Sequence, residues 1–124
     1  MNFKELREKN KARCNEYFHE LYQWDFSQWT NAMAGEVGEA CNFSKKLLRL
    51  NSTIYSQKFT DKEKKKKEKK WKSALSKELA DVVIYADLIA SRLNLKLEDL
   101  IRDKFNQVSD ELDCPYKLGE ENDS

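Results

Sequence analysis

An all-α fold is predicted for this chain by scarce turn residues, a high charged fraction and apolar residues at helical spacing. Only three Gly and one Pro occur among 124 residues, of which 40% are hydrophobic and 36% charged. A strand-rich domain of this size needs many turns, and turns use Gly and Pro. We expect an oligomer-forming bundle of four to five helices, with long central helices, as a single domain over residues 1–116. A flexible acidic tail is expected at 117–124.

Charge and hydropathy narrow the class of protein. Lys and Arg total 23 against 22 for Asp and Glu, so net charge gives no reason to expect a nucleic-acid or membrane partner. The N-terminal segment lacks the apolar core of a signal peptide, and no stretch approaches the roughly 18 apolar residues of a membrane span. Cys14, Cys41 and Cys114 lack zinc-ligand spacing and are expected to be reduced thiols. We therefore expect a cytoplasmic protein.

The first half of the chain contains two predicted helices. Apolar residues at mostly helical spacing predict helix one over residues 3–22. A second helix, capped by Asp25 or Ser27, should end near Leu50. Residues 51–60 are rich in Asn, Ser and Thr without helical period, so we expect a surface loop there.

The second half is expected to contain a long central helix and a shorter last one. Thr60 and Glu63 have capping-box spacing and mark the start of the long helix. Its lysine-rich beginning, about 61–71, cannot bury a face and should project as a solvated arm. Residues 75–93 are apolar on nearly every side, as in a buried helix, and 97–112 show one apolar face.

Two pairs of acidic residues are the strongest candidates for a functional site in this sequence. Glu36 and Glu39 lie three residues apart on helix two, and Glu78 and Asp81 repeat this spacing on helix three within apolar sequence. Side chains three apart share one helix face, where like charges repel. Buried carboxylates take up a proton or bind a cation. Four acids on two facing helices therefore favour a divalent ion with oxygen ligands, such as Mg²⁺, over zinc.

Either acidic pair alone is weak evidence, because such spacings are common on solvated helices. Gly35 and Gly38 strengthen the case, since each mid-helix glycine costs about 1 kcal/mol relative to alanine and needs a reason such as close approach of a backbone or a ligand. A di-iron carboxylate bundle is disfavoured. It normally uses Glu-x-x-His pairs, and the only histidine, His19, lies outside both motifs.

The segments NAMAGEVGEACN, KELADVVIYADLI and DKFNQVSDEL together resemble the MazG-like all-α nucleoside triphosphate pyrophosphohydrolases, especially compact phage and bacterial members and dCTP pyrophosphatases. The resemblance covers about 19–112 and excludes the lysine-rich arm. It implies hydrolysis of a (deoxy)nucleoside triphosphate at the α-phosphorus, releasing pyrophosphate, in a homodimer or homotetramer. It also implies Mg²⁺, with Mn²⁺ as a substitute, held by Glu36, Glu39, Glu78 and Asp81.

The resemblance also indicates phosphate-binding residues. Tyr85 follows Asp81 by one turn, while Lys104 and Asn106 match the family's Lys and Asn on the last helix. Lys46, two turns after Glu39, could reach a phosphate as well. Without the resemblance, these residues would be interpreted as a tyrosine at the edge of the core and ordinary surface residues.

A base-binding pocket is expected just before the first acidic pair. Its candidate residues are His19, Trp24, Trp29 and Asn31. Aromatic faces can stack on a base, and an amide can bind its edge. The equally weighted alternative is that the tryptophans pack helix one on helix two.

Substrate identity and the general base stay open at this stage. The spacer from Ala40 to Lys77 is longer than is usual between these motifs, so dUTP, dCTP, a damaged nucleotide and broad NTP hydrolysis remain alternatives. From another class of function, the chain could be a helical module that binds nucleic acid or protein through the basic arm without catalysis. Such a module would bind in a salt-sensitive way and release no pyrophosphate.

Overall fold

The computed structural model describes residues 1–119 and confirms the all-α class, because this part of the chain contains helices and no strand. The elements, in chain order, are α1 (Phe3–Tyr17), a 3₁₀ turn (Leu21–Gln23), α2 (Phe26–Leu50), α3 (Thr53–Ser56), α4 (Asp61–Arg92) and α5 (Leu97–Glu111). None of the helices within 1–119 is long and apolar enough to cross a membrane. Most of the predicted acidic tail, from Glu120 onward, lies outside the described residues.

Local capping explains where the first helices begin and end. The predicted end of helix one at Tyr22 is wrong, because the Cys14 carbonyl accepts hydrogen bonds from the N–H groups of both Phe18 and His19 and closes α1 at Tyr17. The N-cap prediction for the second helix is confirmed at Asp25. Its carboxylate accepts from the backbone N–H of Gln28 at 2.9 Å, and the Gln28 amide oxygen accepts from the Asp25 N–H at 3.0 Å.

The predicted loop at 51–60 contains the single-turn helix α3, and α4 begins directly after it. The Thr60 hydroxyl accepts a hydrogen bond from the backbone N–H of Glu63 at 3.2 Å, as the predicted capping box requires. The Thr60 hydroxyl also donates a hydrogen bond to the Glu63 carboxylate at 3.1 Å, a contact different from the backbone N–H bond that completes a capping box. At 32 residues, α4 extends roughly 48 Å at 1.5 Å per residue.

Helices α4 and α5 end in the same way, with a residue in the left-handed conformation. Asn94 has φ 59° and Asp113 has φ 53°. After α4, the N–H of Leu95 bonds to the carbonyl of Ala90, and the N–H of Asn94 bonds to that of Ser91. This pair of bonds defines a Schellman motif, which satisfies carbonyls at the end of a helix. The same pattern recurs at Asp113, so α5 ends before any proline is reached.

The chain forms two compact units. The first comprises Met1–Trp24 and Ala86–Ser124, and the second comprises Asp25–Tyr85. In the first unit, the 1% exposed Asp87 accepts hydrogen bonds from the Arg7 guanidinium and the Asn10 amide, both at 3.0 Å. Because a buried carboxylate is costly without partners, these contacts fix α1 against the end of α4.

In the second unit, α2 and α4 pair through aromatic and acidic side chains. The buried ring of Trp29 lies 6.3 Å from the ring of Tyr85, centroid to centroid. About two turns further along each helix, Glu36 on α2 approaches Glu78 on α4. Residue numbers rise on one helix as they fall on the other, so the two helices run antiparallel and their facing sides are fixed by these contacts.

Candidate metal centre

The antiparallel α2 and α4 place both acidic pairs of the second unit on facing sides. Glu36, Glu78 and Asp81 each offer one carboxylate oxygen, and these three oxygens lie within 4.8 Å of one another. Glu39 also acts on Glu78, by hydrogen bonding and by charge. The structure therefore brings three of the four expected metal ligands together, and Glu39 lies close enough to Glu78 to act on its pKa.

Glu78 is the electrostatic centre of this acidic cluster. A hydrogen bond with the Glu36 carboxyl, burial, and the neighbouring Glu39 raise the pKa of Glu78 from its ordinary value of 4.5 to about 7. Its Oε2 atom is buried and has no hydrogen-bond partner among the described residues. A buried carboxylate oxygen without a donor is unfavourable, so the cluster must bind either a proton or a cation.

The donor set fits a hard divalent cation. All four side chains provide carboxylate oxygens, which Mg²⁺ and Mn²⁺ prefer, and the cluster contains no Cys or His that would favour zinc. Two oxygens bound to one Mg²⁺ are separated by at most about 4.2 Å, twice the Mg–O distance. The three carboxylate oxygens, which lie within 4.8 Å of one another, would have to approach only slightly to bind one such ion, and a cation there would give the Glu78 carboxylate a positive partner.

The two glycines of the motif do not serve close packing within the chain. Apart from the adjoining backbone of α2 itself, no atom of the described residues lies within 4 Å of the position that a Cβ would occupy at Gly35 or Gly38. The expected close approach of another backbone is therefore absent from the described part of this chain. Both positions lie on exposed parts of α2, where a ligand or a second subunit could approach.

Four other predicted site residues belong to the second unit. Trp29 is only 2% exposed and packs against Tyr85, so its ring is a core element of this unit. Asn31 is exposed. The Lys46 ammonium lies 5.3 Å from the centroid of the Phe43 ring, which holds the lysine along α2.

The remaining predicted site residues belong to the first unit. The rings of His19 and Trp24 lie 4.4 Å apart, and His19 Nδ1 is 2.9 Å from the carbonyl oxygen of Glu20. The exposed Lys104 borders an apolar groove on α5. Asn106 donates to the carbonyl of Leu118 at 2.9 Å and accepts from its N–H at 2.7 Å. In this structure, the Asn106 amide therefore attaches the C-terminal segment to α5.

Sequence reasoning did not identify Asp87 as a structural residue. Like Asp81, it lies in an apolar stretch of the long helix, and that signal was available. It differs in its partners, since Arg7 and Asn10 satisfy its two oxygens. An acidic residue within apolar sequence thus indicates a buried carboxylate that needs a partner. The sequence alone does not show whether that partner is a guanidinium, as at Asp87, or a cation.

Comparisons of the chain with models of known protein families, with curated proteins and with solved structures find no match. Functional interpretation therefore depends on the geometry of the acidic cluster and on the motif resemblance of the sequence.

The raised pKa of Glu78 predicts the pH response of the chelated protein. A carboxyl whose pKa is higher in the folded than in the unfolded chain stabilises the fold while protonated, and this contribution is lost as pH rises through the folded-state pKa. In EDTA, wild type should lose stability relative to Glu78→Gln as pH rises from 4.5 through about 7, because glutamine stays neutral. Urea unfolding at several pH values measures this difference.

Two controls accompany that measurement. Glu16→Gln removes a charge from an exposed residue of α1 and should reproduce the wild-type profile. Mg²⁺ added at pH 8 should stabilise wild type more than Glu78→Gln, because a bound cation stabilises only the state that binds it. Parallel wild-type and Glu78→Gln profiles in EDTA would show that Glu78 does not titrate in this range.

Proposed function

We propose that this chain is a Mg²⁺-dependent nucleoside triphosphate pyrophosphohydrolase that converts a (d)NTP to (d)NMP and pyrophosphate in nucleotide-pool housekeeping. The observation that carries the proposal is the convergence of Glu36, Glu78 and Asp81, with the Glu78 Oε2 atom buried and without a hydrogen-bond partner among the residues that the structure describes. The motif resemblance to MazG-like enzymes supplies the reaction type. Neither one acidic pair by itself nor the motif resemblance by itself would be sufficient support for this function.

Glu36, Glu78 and Asp81 would hold the cation. Mg²⁺ supplies charge neutralisation of the triphosphate and a lowered pKa of bound water. The three carboxylates are fixed by two long helices whose register is set by Trp29 against Tyr85. Such rigid support keeps the ligands in place when substrate phosphate enters.

Glu39 differs from the other three acids, and we assign proton acceptance to it. It is exposed and lies outside the group of three oxygens, yet it is close enough to Glu78 to raise its pKa. Its carboxylate can accept the proton of the water whose oxygen forms a bond to the α-phosphorus. The bond from that phosphorus to the α,β-bridging oxygen breaks, and pyrophosphate leaves.

This division of roles predicts two kinds of variant. Glu39→Gln should lower kcat by about 10²- to 10⁴-fold, the usual contribution of a general base, while leaving the Mn²⁺ dissociation constant within about threefold. Asp81→Asn should lower kcat and also weaken Mn²⁺ binding at least about tenfold, because it removes a ligand charge. Turnover is measured on a panel of canonical and modified NTPs with Mg²⁺, and Mn²⁺ binding by titration.

The assay must record both pyrophosphate and orthophosphate. Pyrophosphate as the product supports the proposal, whereas orthophosphate would indicate a phosphatase. Glu16→Gln is the matched control and should behave as wild type. Wild-type turnover in Glu39→Gln under saturating substrate would remove Glu39 from the reaction, and no turnover of any NTP by wild type would refute the proposed function.

We also propose a homo-oligomer, in which a second copy covers the apolar face of α5. The exposed residues of this face are Leu100, Ile101, Phe105, Val108 and Leu112. With Tyr116 they border an open groove of 650 Å³ in which Lys104 is the one charged lining residue. A nearly uncharged face can meet its own copy across a two-fold axis without strong like-charge repulsion.

Sedimentation equilibrium tests this assembly. Wild type should be a dimer or tetramer at low micromolar concentration, and Phe105→Glu should shift it to monomer because it places a charge in the apolar face. Gln107→Glu, an equal charge change at another exposed position of α5, should leave assembly intact. A stable, active wild-type monomer would contradict the proposal.

A further inference from the structure

The beginning of α4 carries a local charge that the net charge of the chain conceals. Residues 61–72 include eight lysines and three acidic residues, a net charge of +5, although the whole chain carries only +1. Within this segment, six lysines are exposed, namely Lys62, Lys65, Lys66, Lys69, Lys70 and Lys72. We call these six residues the lysine face.

Helix geometry places the lysine face on one side of α4. At about 100° per residue, the six side chains fall within an arc of about 160° that contains no acidic, aromatic or apolar residue of the segment. The observed burial agrees, since the half-buried Lys64, Lys67, Glu68 and Trp71 all fall outside this arc. The Lys67 ammonium lies 4.6 Å from the centroid of the Phe59 ring, which identifies the side of the helix that packs on protein.

The lysine face points away from the acidic cluster. Glu78 lies about 160° around the axis of the same helix from the centre of the lysine face, and Asp81 lies about 100° from it. A straight helix therefore directs these lysines to a different part of the surface from the phosphates of a substrate held at the cluster. A shallow depression of 300 Å³ runs along one edge of this surface, bordered by Lys65, Glu68, Lys69 and Lys72.

We infer that the lysine face is a docking surface for the phosphate backbone of duplex DNA, bound without sequence preference. The face spans about 15 Å along a regular helix, and an α-helix fits the major groove of B-DNA. The lysine face offers only ammonium groups, and a row of such point charges pairs with phosphates, the contacts that carry no sequence information. Binding should therefore depend on charge and be independent of sequence.

Other polyanions suit this surface less well. Single-stranded nucleic acid is usually held by aromatic rings that stack on its bases, and the lysine face has none. A membrane-surface helix needs an apolar side to insert, which the exposed arc lacks. Isolated ion pairs with an acidic protein gain about 0–1 kcal/mol each, whereas DNA also releases condensed counterions when a row of lysines binds.

Fluorescence anisotropy with a labelled 20-base-pair DNA duplex of mixed sequence tests this inference on the full-length protein without nucleotide. The logarithm of the binding constant should fall linearly with the logarithm of KCl concentration. A slope of about −0.9 per phosphate contact is expected, hence about −4.5 from the five lysines of the face other than Lys72, whose ammonium lies 2.6 Å from the Glu68 carboxylate. A second duplex of unrelated sequence should bind equally.

Matched double variants of one helix locate the surface. Lys66→Gln/Lys70→Gln changes the lysine face, whereas Lys64→Gln/Lys67→Gln removes the same charge from the other side. Glutamine and lysine have similar helix propensity, and circular dichroism checks the fold. The first pair should weaken binding about tenfold or more at 50 mM KCl and make the slope shallower by about 2, and the second should change binding less than about threefold.

Three results would overturn the inference. They are no duplex binding at 50 mM KCl, equal losses in the two double variants, and equally tight binding of polyglutamate or phosphatidylglycerol vesicles. The last result would assign the face to polyanions in general. Because the assay contains no nucleotide, each outcome is independent of whether the acidic cluster hydrolyses NTPs.

Discussion

Repulsion among four carboxylates on facing helices is the constraint on which the second unit depends. Glu36, Glu39, Glu78 and Asp81 cannot all remain ionised and close together without a positive partner. This repulsion acts most strongly on Glu78, whose pKa is raised to about 7 and whose buried Oε2 has no hydrogen-bond donor within the described part of the chain. The helices nevertheless hold the acids together. Such an arrangement is costly for stability alone and is typical of a site organised for a ligand.

Three functional or structural features lie at different positions along and around the axis of the long helix α4. Its lysine face is exposed near the beginning, the acidic cluster occupies the packed side near the middle, and Asp87 near the end is buried against Arg7. Because one helix carries all three, a substitution must preserve both helical propensity and phase. Insertion of a single residue between the lysines and Glu78 would rotate one relative to the other by about 100°.

Much of the fold could be predicted because helix-capping chemistry and the pattern of buried residues indicate the same helices. The capping box at Asp25 follows from side-chain chemistry alone, and the scarcity of Gly and Pro correctly indicates an all-α chain. The apolar spacing predicts a first helix that is too long, because it indicates which residues are buried and not whether they are helical. Leu21 is buried, but it lies on a 3₁₀ turn whose N–H bonds to the side chain of Asn15.

The acidic pairs could be found because i, i+3 spacing fixes a shared helix face, and the structure brings Glu36, Glu78 and Asp81 together. Contacts remote in sequence could not be found in this way. Nothing local shows that Asp87 pairs with Arg7, or that Asn106 bonds to the backbone of Leu118. The burial of Trp29 against Tyr85 likewise depends on which sides of two helices meet.

The most direct test of the account is the anomalous scattering of Mn²⁺ in crystals grown with that ion. We expect an anomalous peak between Glu36, Glu78 and Asp81, with carboxylate oxygens at bonding distance and the Glu78 Oε2 either bound to the ion or hydrogen-bonded to one of its ligands. Crystals of Glu78→Gln should show a weaker peak or none at that position. If well-ordered wild-type crystals with Mn²⁺ show no peak between these helices, the four acids are not a metal centre, and the proposed hydrolase loses its structural basis.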